Sequence, residues 1–178
     1  MDILALPKDQ QAIRDRVAHL FARLRAELEV ALPADCHVLH VGATAIPGCL
    51  TKGDLDLVVR CEAADFAKAD KILADRFARN LGSLRTADFS AFEDASSVPP
   101  CGVQLTVRGG PLDVFHLFVD ALRNDPVLVG RYNVMKRHYD GRSMDAYRDA
   151  KAAFVHSVLR LPYDHPSAAG TAASGETE

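Results

Sequence analysis

No stretch of this 178-residue sequence approaches the roughly 20 consecutive apolar residues that a membrane-spanning helix needs. The first residues also lack the basic segment, apolar core and cleavage site of a secretory signal peptide. Together, these two absences favour a cytoplasmic protein that does not enter a membrane.

Basic residues are not in excess, since the net charge is −3 at pH 7 and the pI is about 6.1. Proteins that coat nucleic acids usually carry a surplus of positive charge, so nothing indicates general nucleic-acid binding. Positive charge is nevertheless concentrated in the C-terminal third, which suits an anionic ligand. The residues concerned are Arg131, Lys136, Arg137, Arg142, Arg148 and Lys151.

Metal-binding cysteine motifs and a P-loop are absent as well. The four cysteines lack the CxxC or CxxH spacing of zinc sites, and we predict that they are buried thiols. The chain length suits one domain with a sizeable core. We predict that this domain spans residues 1–162 and that residues 163–178, which are small and polar, form a disordered tail.

Hydrophobic spacing predicts an alternation of helices and short strands. Apolar residues three and four apart indicate an amphipathic helix over Gln10–Ala31. Two later helices carry N-terminal signals, Asp125 before Pro126 and Ser143. The other predicted elements are strands at 37–41 and 55–60, a helix at 63–77, a surface loop at 89–100, a β-hairpin of 102–108 with 112–119, and helices at 126–137 and 144–159.

The strongest chemical signal is a pair of carboxylates, Asp54 and Asp56, next to an apolar run. Side chains alternate along a strand, so both carboxylates project to one side. Two such groups repel one another unless a cation lies between them, and Mg²⁺ is usually held by one or two carboxylates together with substrate phosphates. The pair therefore predicts a magnesium site. The alternative is a structural pair at a solvated strand start beside Lys52.

A glycine-containing turn precedes this pair by about ten residues. Gly42 has no Cβ, so the backbone there and the hydroxyl of Thr44 can approach a phosphate closely. Pro47 and Gly48 then redirect the chain. The turn predicts a phosphate-binding loop beside the metal site.

Two Tyr-x-x-x-Lys pairs place an aromatic ring and a cation one turn apart on each of the last two helices. They are Tyr132 with Lys136 and Tyr147 with Lys151. A lysine binds phosphate as a point charge, and a tyrosine can stack on a base or hydrogen-bond a phosphate oxygen. The alternative is that the tyrosines pack in the core while the lysines extend to solvent.

These motifs resemble those of the GrpB (UPF0157) proteins, which belong to the nucleotidyltransferase superfamily. The loop His40-Val-Gly-Ala-Thr-Ala-Ile-Pro-Gly48 is similar to the family pattern His-hydrophobic-Gly-Ser-Thr-Ser-hydrophobic-Pro-Gly. Both Tyr-x-x-x-Lys pairs and Phe154 also match, so the resemblance runs from about His37 to Leu159. It implies an α+β fold, with a mixed β-sheet flanked by helices and with helices at the C-terminus.

The resemblance implies a Mg²⁺-dependent nucleotidyltransferase that moves a nucleoside monophosphate from a nucleoside triphosphate to an acceptor that the sequence does not identify. One or two Mg²⁺ ions would be held by Asp54, Asp56 and a third carboxylate. The superfamily carries that third ligand on a strand beside the Asp-x-Asp strand. Asp113, on the second strand of the predicted hairpin, is our prediction for it, and Asp54, Asp56 and Asp113 are the predicted catalytic residues.

His116 competes with Asp113 for this site, because the two are three residues apart and would face opposite sides of a regular strand. The GrpB pattern favours His116, which we predict as a nucleotide-binding residue. The complete predicted nucleotide-binding set is Gly42, Thr44, His116, Lys136, Tyr147 and Lys151.

Two positions depart from the family pattern. Ala43 stands where the loop usually has a serine, and Phe118 stands where the second histidine of a His-Leu-His motif is expected. These departures support an alternative function, a nucleotide-binding module with the same fold that acts as a sensor or partner protein and has lost turnover.

Overall fold

The computed structural model describes residues 2–161. The predicted tail, residues 163–178, lies outside the described residues. The helices are α1 (Gln10–Ala31), α2 (Phe66–Ala74), α3 (Phe115–Arg123), α4 (Pro126–Tyr139) and α5 (Met144–Leu159), and the strands are β1 (His37–Val41), β2 (Leu55–Cys61), β3 (Ala78–Arg79), β4 (Phe89–Asp94) and β5 (Cys101–Val107).

The five strands form one mixed sheet in the order β1-β2-β5-β4-β3. Strands β2 and β5 are parallel, and every other neighbouring pair is antiparallel. In the parallel pair, Asp56 is opposite Gly102 and Val58 is opposite Gln104. The predicted α+β fold with a mixed sheet flanked by helices is confirmed.

Helices cover both faces of the sheet. Because side chains alternate along β2, successive residues of this strand contact helices on opposite faces. Leu55, Leu57 and Val59 belong to the core formed with α1 and α2. Val58 belongs instead to the core formed with α3, α4 and α5. Because side chains alternate along a strand, Asp56 shares the face of Val58 and points toward these three C-terminal helices.

Local signals account for the helices that were predicted well. The side chain of Asp9 accepts a hydrogen bond from Ala12 N at the start of α1. Capping of this kind satisfies a backbone N–H that has no partner within the helix. Asp125 caps α4 and Ser143 caps α5 in the same way, as predicted. The apolar stripe of α1 is buried, as its spacing predicts, and consists of Val17, Leu20, Leu24 and Leu28.

The prediction of a loop over residues 89–100 is wrong in its first half, because Phe89–Asp94 is strand β4 between β5 and β3. The polar Ser90 is accommodated inside the fold, since its hydroxyl donates a 2.6 Å hydrogen bond to Asp70. Strand formation here depends on pairing with segments distant in the sequence, which local composition does not report.

The predicted hairpin is also wrong in its second strand. Residues 101–107 form β5, but the chain then turns and Phe115–Arg123 is helix α3. Phe118, Val119 and Leu122 are the buried residues of α3, and a spacing of three and four is helical. The predicted helix at 63–77 is shorter, since α2 follows a 3₁₀ turn at Ala63–Asp65 and ends at Ala74.

The four cysteines are free and buried, as predicted. Within residues 2–161, no helix has the length and apolar character needed to cross a bilayer.

Candidate functional site

Asp56 and Asp54 lie at the start of β2, on the side of the sheet that faces α3, α4 and α5. Burial and, to a smaller extent, the charge of Asp54 raise the pKa of Asp56 to about 6, and Lys151 and Lys52 oppose this rise. The negative charge of Asp54 is partly neutralised by an ion pair with Lys52, whose Nζ is 2.8 Å from Asp54 Oδ2. The two negative charges therefore favour binding of a cation, and this effect is strongest at Asp56.

Two glycines leave room for the carboxylate of Asp56. A Cβ atom on Gly42 would stand 2.2 Å from Asp56 Oδ2, and Gly42 also has a φ of +71°. Gly102, opposite Asp56 on β5, would bring a Cβ to 3.4 Å from Oδ1. Both the backbone conformation and the close approach explain why position 42 is glycine.

Arginines from both sides of the sheet fix the glycine loop through its carbonyl groups. Arg14 of α1 donates to the carbonyls of Thr44, at 3.1 Å, and of Cys49. Arg123 of α3 donates twice to Ala45 O, at 3.0 and 2.8 Å. The loop is thus held by charged donors before any ligand arrives, which reduces the ordering cost of binding.

Helix α4 fixes the end of the same loop. Asn133 donates to Gly48 O at 2.8 Å and accepts from Leu50 N at 2.7 Å. Lys136, 2% exposed, donates to Leu50 O and lies 3.4 Å from the sulfur of Cys49. Burial lowers the pKa of Lys136 to about 8. Lys136 was predicted to bind nucleotide, and the structure places its amine against the loop backbone.

The hydroxyl of Thr44 is also engaged inside the protein. Its Oγ1 lies 2.8 Å from Nε2 of His40 and donates to Asp54 O at 3.4 Å. Burial lowers the pKa of His40 to about 4, with Arg123 and Arg14 adding to the effect, so the ring is neutral near pH 7. The predicted phosphate contact of Thr44 is therefore replaced by a chain of hydrogen bonds that ties the loop to the start of β2.

A cavity of about 180 Å³ opens beside Asp56. Lys151 is one of its lining residues, and within residues 2–161 its side chain forms no hydrogen bond and no ion pair. It is the cation that lowers the pKa of Asp56 most. The full lining is Val41, Gly42, Ala43, Asp56, Gln104, Val114, Phe115, Phe118, Tyr132, Lys151 and Val155.

Gln104 is the site residue that the sequence did not reveal. It lies on β5, directly beside β2, and its pairing with Val58 places it on the same face as Asp56. Its side-chain Oε1 is buried and has no hydrogen-bond partner within the described part of the chain. The sequence does show a polar residue between Val103 and Leu105 in an apolar strand. That this residue belongs to the site becomes evident only when the pairing of β5 with β2 is known.

Asp113 does not join Asp54 and Asp56, which corrects the predicted third metal ligand. It lies in the turn before α3 and forms two hydrogen bonds to Arg60, at 2.6 and 2.5 Å. Thr106 and the backbone of Gly109 also donate to it. Arg60 is four residues along β2 from Asp56, a separation of about 13 Å at the usual rise per residue. Asp113 is therefore at the opposite end of the β2–β5 pair.

His116 is likewise not among the residues that line the cavity, and it lies on α3 and not on the predicted strand. It lines a separate groove at the β1 edge together with Phe21 and Arg25 of α1. Its Nδ1 lies 3.7 Å from Asp113 Oδ1. Burial lowers the pKa of His116, and the charge of Arg60 lowers it further.

The two tyrosines of the Tyr-x-x-x-Lys pairs are core residues. Tyr132 and Tyr147 are 2% and 6% exposed. Burial raises the pKa of Tyr147 to about 12. Tyr132 also stacks on Phe154, with ring centroids 5.0 Å apart. Of the two lysines, Lys136 is buried and Lys151 lines the cavity.

Asp54 and Asp56 have the hard oxygen donors that suit Mg²⁺. Within residues 2–161, no group of three or more His, Cys, Asp or Glu side chains is placed to hold a metal ion. A cation at this position would therefore take two carboxylates from the protein, and substrate phosphates and water would complete its coordination, which is the usual arrangement for Mg²⁺.

Known proteins with the same sequence pattern and architecture support this picture of the fold. A UPF0157 protein of Vibrio cholerae is 33% identical over 142 residues, covering 79% of this chain and 74% of that protein. The crystal structure of GrpB from Enterococcus faecalis superposes with a TM-score of 0.65 at 19% identity, covering 81% of this chain and 90% of the other.

A more distant similarity is to the Cid1 poly(U) polymerase, solved with MgATP. Its TM-score is 0.49 at 14% identity, and the match covers 70% of this chain but 40% of that one. The sequence profile described as GrpB protein matches residues 11–161, which extends the predicted resemblance to include most of α1. The chain belongs to the GrpB family.

Proposed function

We propose that this protein is a Mg²⁺-dependent nucleotidyltransferase that transfers a nucleoside monophosphate from a nucleoside triphosphate to an acceptor hydroxyl. The proposal rests on the carboxylate of Asp56. Burial and the negative charge of Asp54 raise its pKa to about 6. This carboxylate faces a cavity that Lys151 also lines. A carboxylate with a raised pKa and a nearby lysine suit a metal ion bound together with a polyphosphate.

Each residue of the site has a defined task in this reaction. Asp54 and Asp56 would hold Mg²⁺, which supplies charge stabilisation at the attacking and leaving oxygens when bound. Gly42 lets the loop backbone lie directly against the carboxylate of Asp56, so that the loop and the metal site adjoin. Lys151 balances the negative charge of the phosphates. Arg14 and Arg123 act indirectly, because they hold the loop in place.

The transfer exchanges one phosphorus–oxygen bond for another. The acceptor oxygen forms a bond to the α-phosphorus, the bond from that phosphorus to pyrophosphate breaks, and the hydroxyl proton is released to solvent. Lys151 would balance part of the charge of the departing pyrophosphate, and Mg²⁺ held by Asp54 and Asp56 would supply further positive charge. A cytoplasmic location, where nucleoside triphosphates are abundant, is part of this proposal.

The test is pyrophosphate release from each of the four common nucleoside triphosphates, with MgCl₂ and with a panel of hydroxyl acceptors. Thermal stability is measured in the same samples, because a ligand that binds the folded state raises the melting temperature. We expect Mg²⁺-dependent stabilisation and release in the wild type, and loss of both in Asp56→Asn. Asp75→Asn, at an exposed position after α2, is the matched control. Absence of any nucleotide effect would contradict the proposal.

A second candidate function is nucleotide binding without transfer. Gln104 favours it, because an uncharged amide occupies the strand beside the Asp-x-Asp strand, where the superfamily has its third carboxylate. Ala43 favours it too, since the loop hydroxyl is missing. Mg²⁺-dependent stabilisation by nucleotide without pyrophosphate release, across the whole acceptor panel, would support this candidate over the transferase.

A further inference from the structure

We propose that the cavity beside Asp56 is the acceptor subsite, and that the acceptor is a small alcohol with a compact aromatic or branched aliphatic group. This inference rests on the proposed function and names the substrate class for it. The apolar group would fill the cavity, and the hydroxyl would donate a hydrogen bond to Gln104 Oε1. The experiment below tests this subsite separately from nucleotide binding.

The size of the cavity limits what can enter it. Its volume is about 180 Å³. An apolar cavity of about 150 Å³ holds a benzene molecule, whereas pockets for drug-sized ligands span about 300–1,000 Å³. A base with its ribose is much larger than benzene and would extend beyond the cavity. A phenyl or branched alkyl group of about six to eight non-hydrogen atoms does fit.

The walls of the cavity are mostly apolar and are already rigid. Phe118 is 7% exposed and is fixed by edge contacts to Tyr132 and Phe154, with ring centroids 5.6 and 6.2 Å apart. Such contacts define the ring orientation before a ligand binds. The apolar side chains of the wall are Val41, Ala43, Val114, Phe115, Phe118 and Val155. A polyphosphate would lose hydration against this wall, whereas an alkyl or aryl group would gain from burial.

The polar end of the cavity selects a hydrogen-bond donor. Gln104 Oε1 is buried without a partner among residues 2–161. An unsatisfied buried acceptor costs about 1–3 kcal/mol, which a ligand hydroxyl would recover. Gly102 lies between this amide and the carboxylate of Asp56, since a Cβ there would be 3.4 Å from Asp56 Oδ1 and 3.6 Å from Gln104 Nε2. The hydroxyl would thus lie next to the metal-binding carboxylate.

The first part of the experiment uses the wild-type protein free of metal and nucleotide. Dissociation constants of benzyl alcohol and toluene are measured by ligand-detected NMR. These probes have nearly the same apolar volume, and only benzyl alcohol donates a hydrogen bond. We expect benzyl alcohol to bind at least fivefold more tightly, the ratio that about 1 kcal/mol from one hydrogen bond gives. Equal affinities, or no binding of either probe, would overturn the proposal.

The second part uses variants. Gln104→Met keeps the length of the side chain and removes the acceptor, so we expect it to bind both probes with equal affinity. Val155→Trp fills the cavity and should abolish binding of both, whereas Val127→Trp, at a position 70% exposed on α4, should change neither. A preference for benzyl alcohol that persists in Gln104→Met would overturn the proposal, even where Val155→Trp fails to fold.

The third part separates this inference from the proposed function. Competition by a short oligonucleotide with a free 3′ hydroxyl is measured in the same assay, and displacement of benzyl alcohol by it would overturn the small-acceptor assignment. Stabilisation by MgATP is measured independently. Binding of benzyl alcohol without any stabilisation by MgATP would support the alcohol site and contradict the proposed nucleotidyltransferase activity. Stabilisation by MgATP without binding of benzyl alcohol would contradict only the proposed acceptor subsite.

Discussion

Oδ2 of Asp56 lies 2.2 Å from the position that a Cβ atom would occupy on Gly42. The carboxylate therefore packs directly against the loop backbone at Gly42. Gly42→Ala would add this clash to the cost of holding a residue with a Cβ at φ +71° and ψ −171°, a backbone region occupied essentially by glycine, about 1–3 kcal/mol. We expect its free energy of unfolding to fall by more than 2 kcal/mol and its stabilisation by MgATP to disappear.

Gly48→Ala is the matched control for this prediction. Gly48 has nearly the same φ, +72°, but nothing lies within 4 Å of its Cβ position. It should lose about 1–2 kcal/mol from backbone strain alone and keep its response to MgATP. Urea unfolding followed by circular dichroism measures both variants. Equal losses in the two variants would show that the contact with Asp56 has no energetic effect.

Stability should depend on pH through Asp56. Its pKa in the folded protein is raised from 3.8 to about 6, so the folded state binds a proton more readily than the unfolded state. The protein is therefore destabilised as pH rises through this window, and the penalty is complete above pH 6. We expect Asp56→Asn to be about 1–2 kcal/mol more stable than the wild type at pH 7.5 and similar to it at pH 4.

The measurement is urea unfolding at both pH values, with and without MgCl₂. Mg²⁺ should stabilise the wild type at pH 7.5 and leave Asp56→Asn unchanged, because the ion removes the repulsion between the carboxylates. Asp75→Asn, on the surface, should follow the wild type throughout. A variant less stable than the wild type at pH 7.5 would show that Asp56 is stabilised in the metal-free protein.

Lys151 should contribute to nucleotide affinity, since it lowers the pKa of Asp56 more than any other cation does. We expect Lys151→Met to weaken MgATP binding about tenfold, equivalent to about 1.4 kcal/mol, by isothermal titration calorimetry. Lys68→Met, at an exposed position on α2, removes the same charge elsewhere and should leave the affinity unchanged. Equal affinities of the two variants would assign Lys151 to the solvated surface.

Asp113 should act in stability and not in metal binding. Its carboxylate is 4% exposed and pairs with Arg60, whose side chain is 20% exposed. Asp113→Asn leaves a mostly buried guanidinium without its partner, and we expect a loss of about 2–3 kcal/mol in urea unfolding. The increase in melting temperature caused by MgATP should remain. The double variant Arg60→Met with Asp113→Leu should recover part of the stability. Loss of the MgATP response in Asp113→Asn would restore the metal-ligand assignment.

Much of the fold was predictable because its signals are local. The stripe of α1 and the caps of α4 and α5 lie within a few residues of the elements they define. Strand β4 was missed because its residues become a strand by pairing with β5 and β3. Gly109 does adopt a positive φ, +72°, but the chain beyond it turns into α3 and does not return as a strand. The sequence alone does not distinguish these two continuations.

The site, like the fold, was predictable only where short local patterns in the sequence define it. Asp54, Asp56 and Gly42 could be predicted as neighbours because an alternating strand and a glycine turn are short patterns, and the structure does bring them together. Gln104 was not found, since its role follows from the parallel pairing of β2 with β5, which brings together residues that are 48 positions apart in sequence. Asp113 was misplaced for the same reason, because only the three-dimensional structure shows its carboxylate bonded to Arg60.

Gln104→Glu adds a carboxylate of nearly the same shape to the strand beside Asp56, and it tests whether the missing third ligand limits the site. A third negative charge near Asp54 and Asp56 should lower metal-free stability by about 1 kcal/mol and should raise the affinity for Mg²⁺. We therefore expect a larger MgCl₂-dependent stabilisation at pH 7.5 than in the wild type, measured by urea unfolding. Gln104→Met is the uncharged control and should not gain this stabilisation. If Gln104→Glu responds to Mg²⁺ no more than Gln104→Met does, position 104 contributes no ligand to the metal and acts only on the molecule in the cavity.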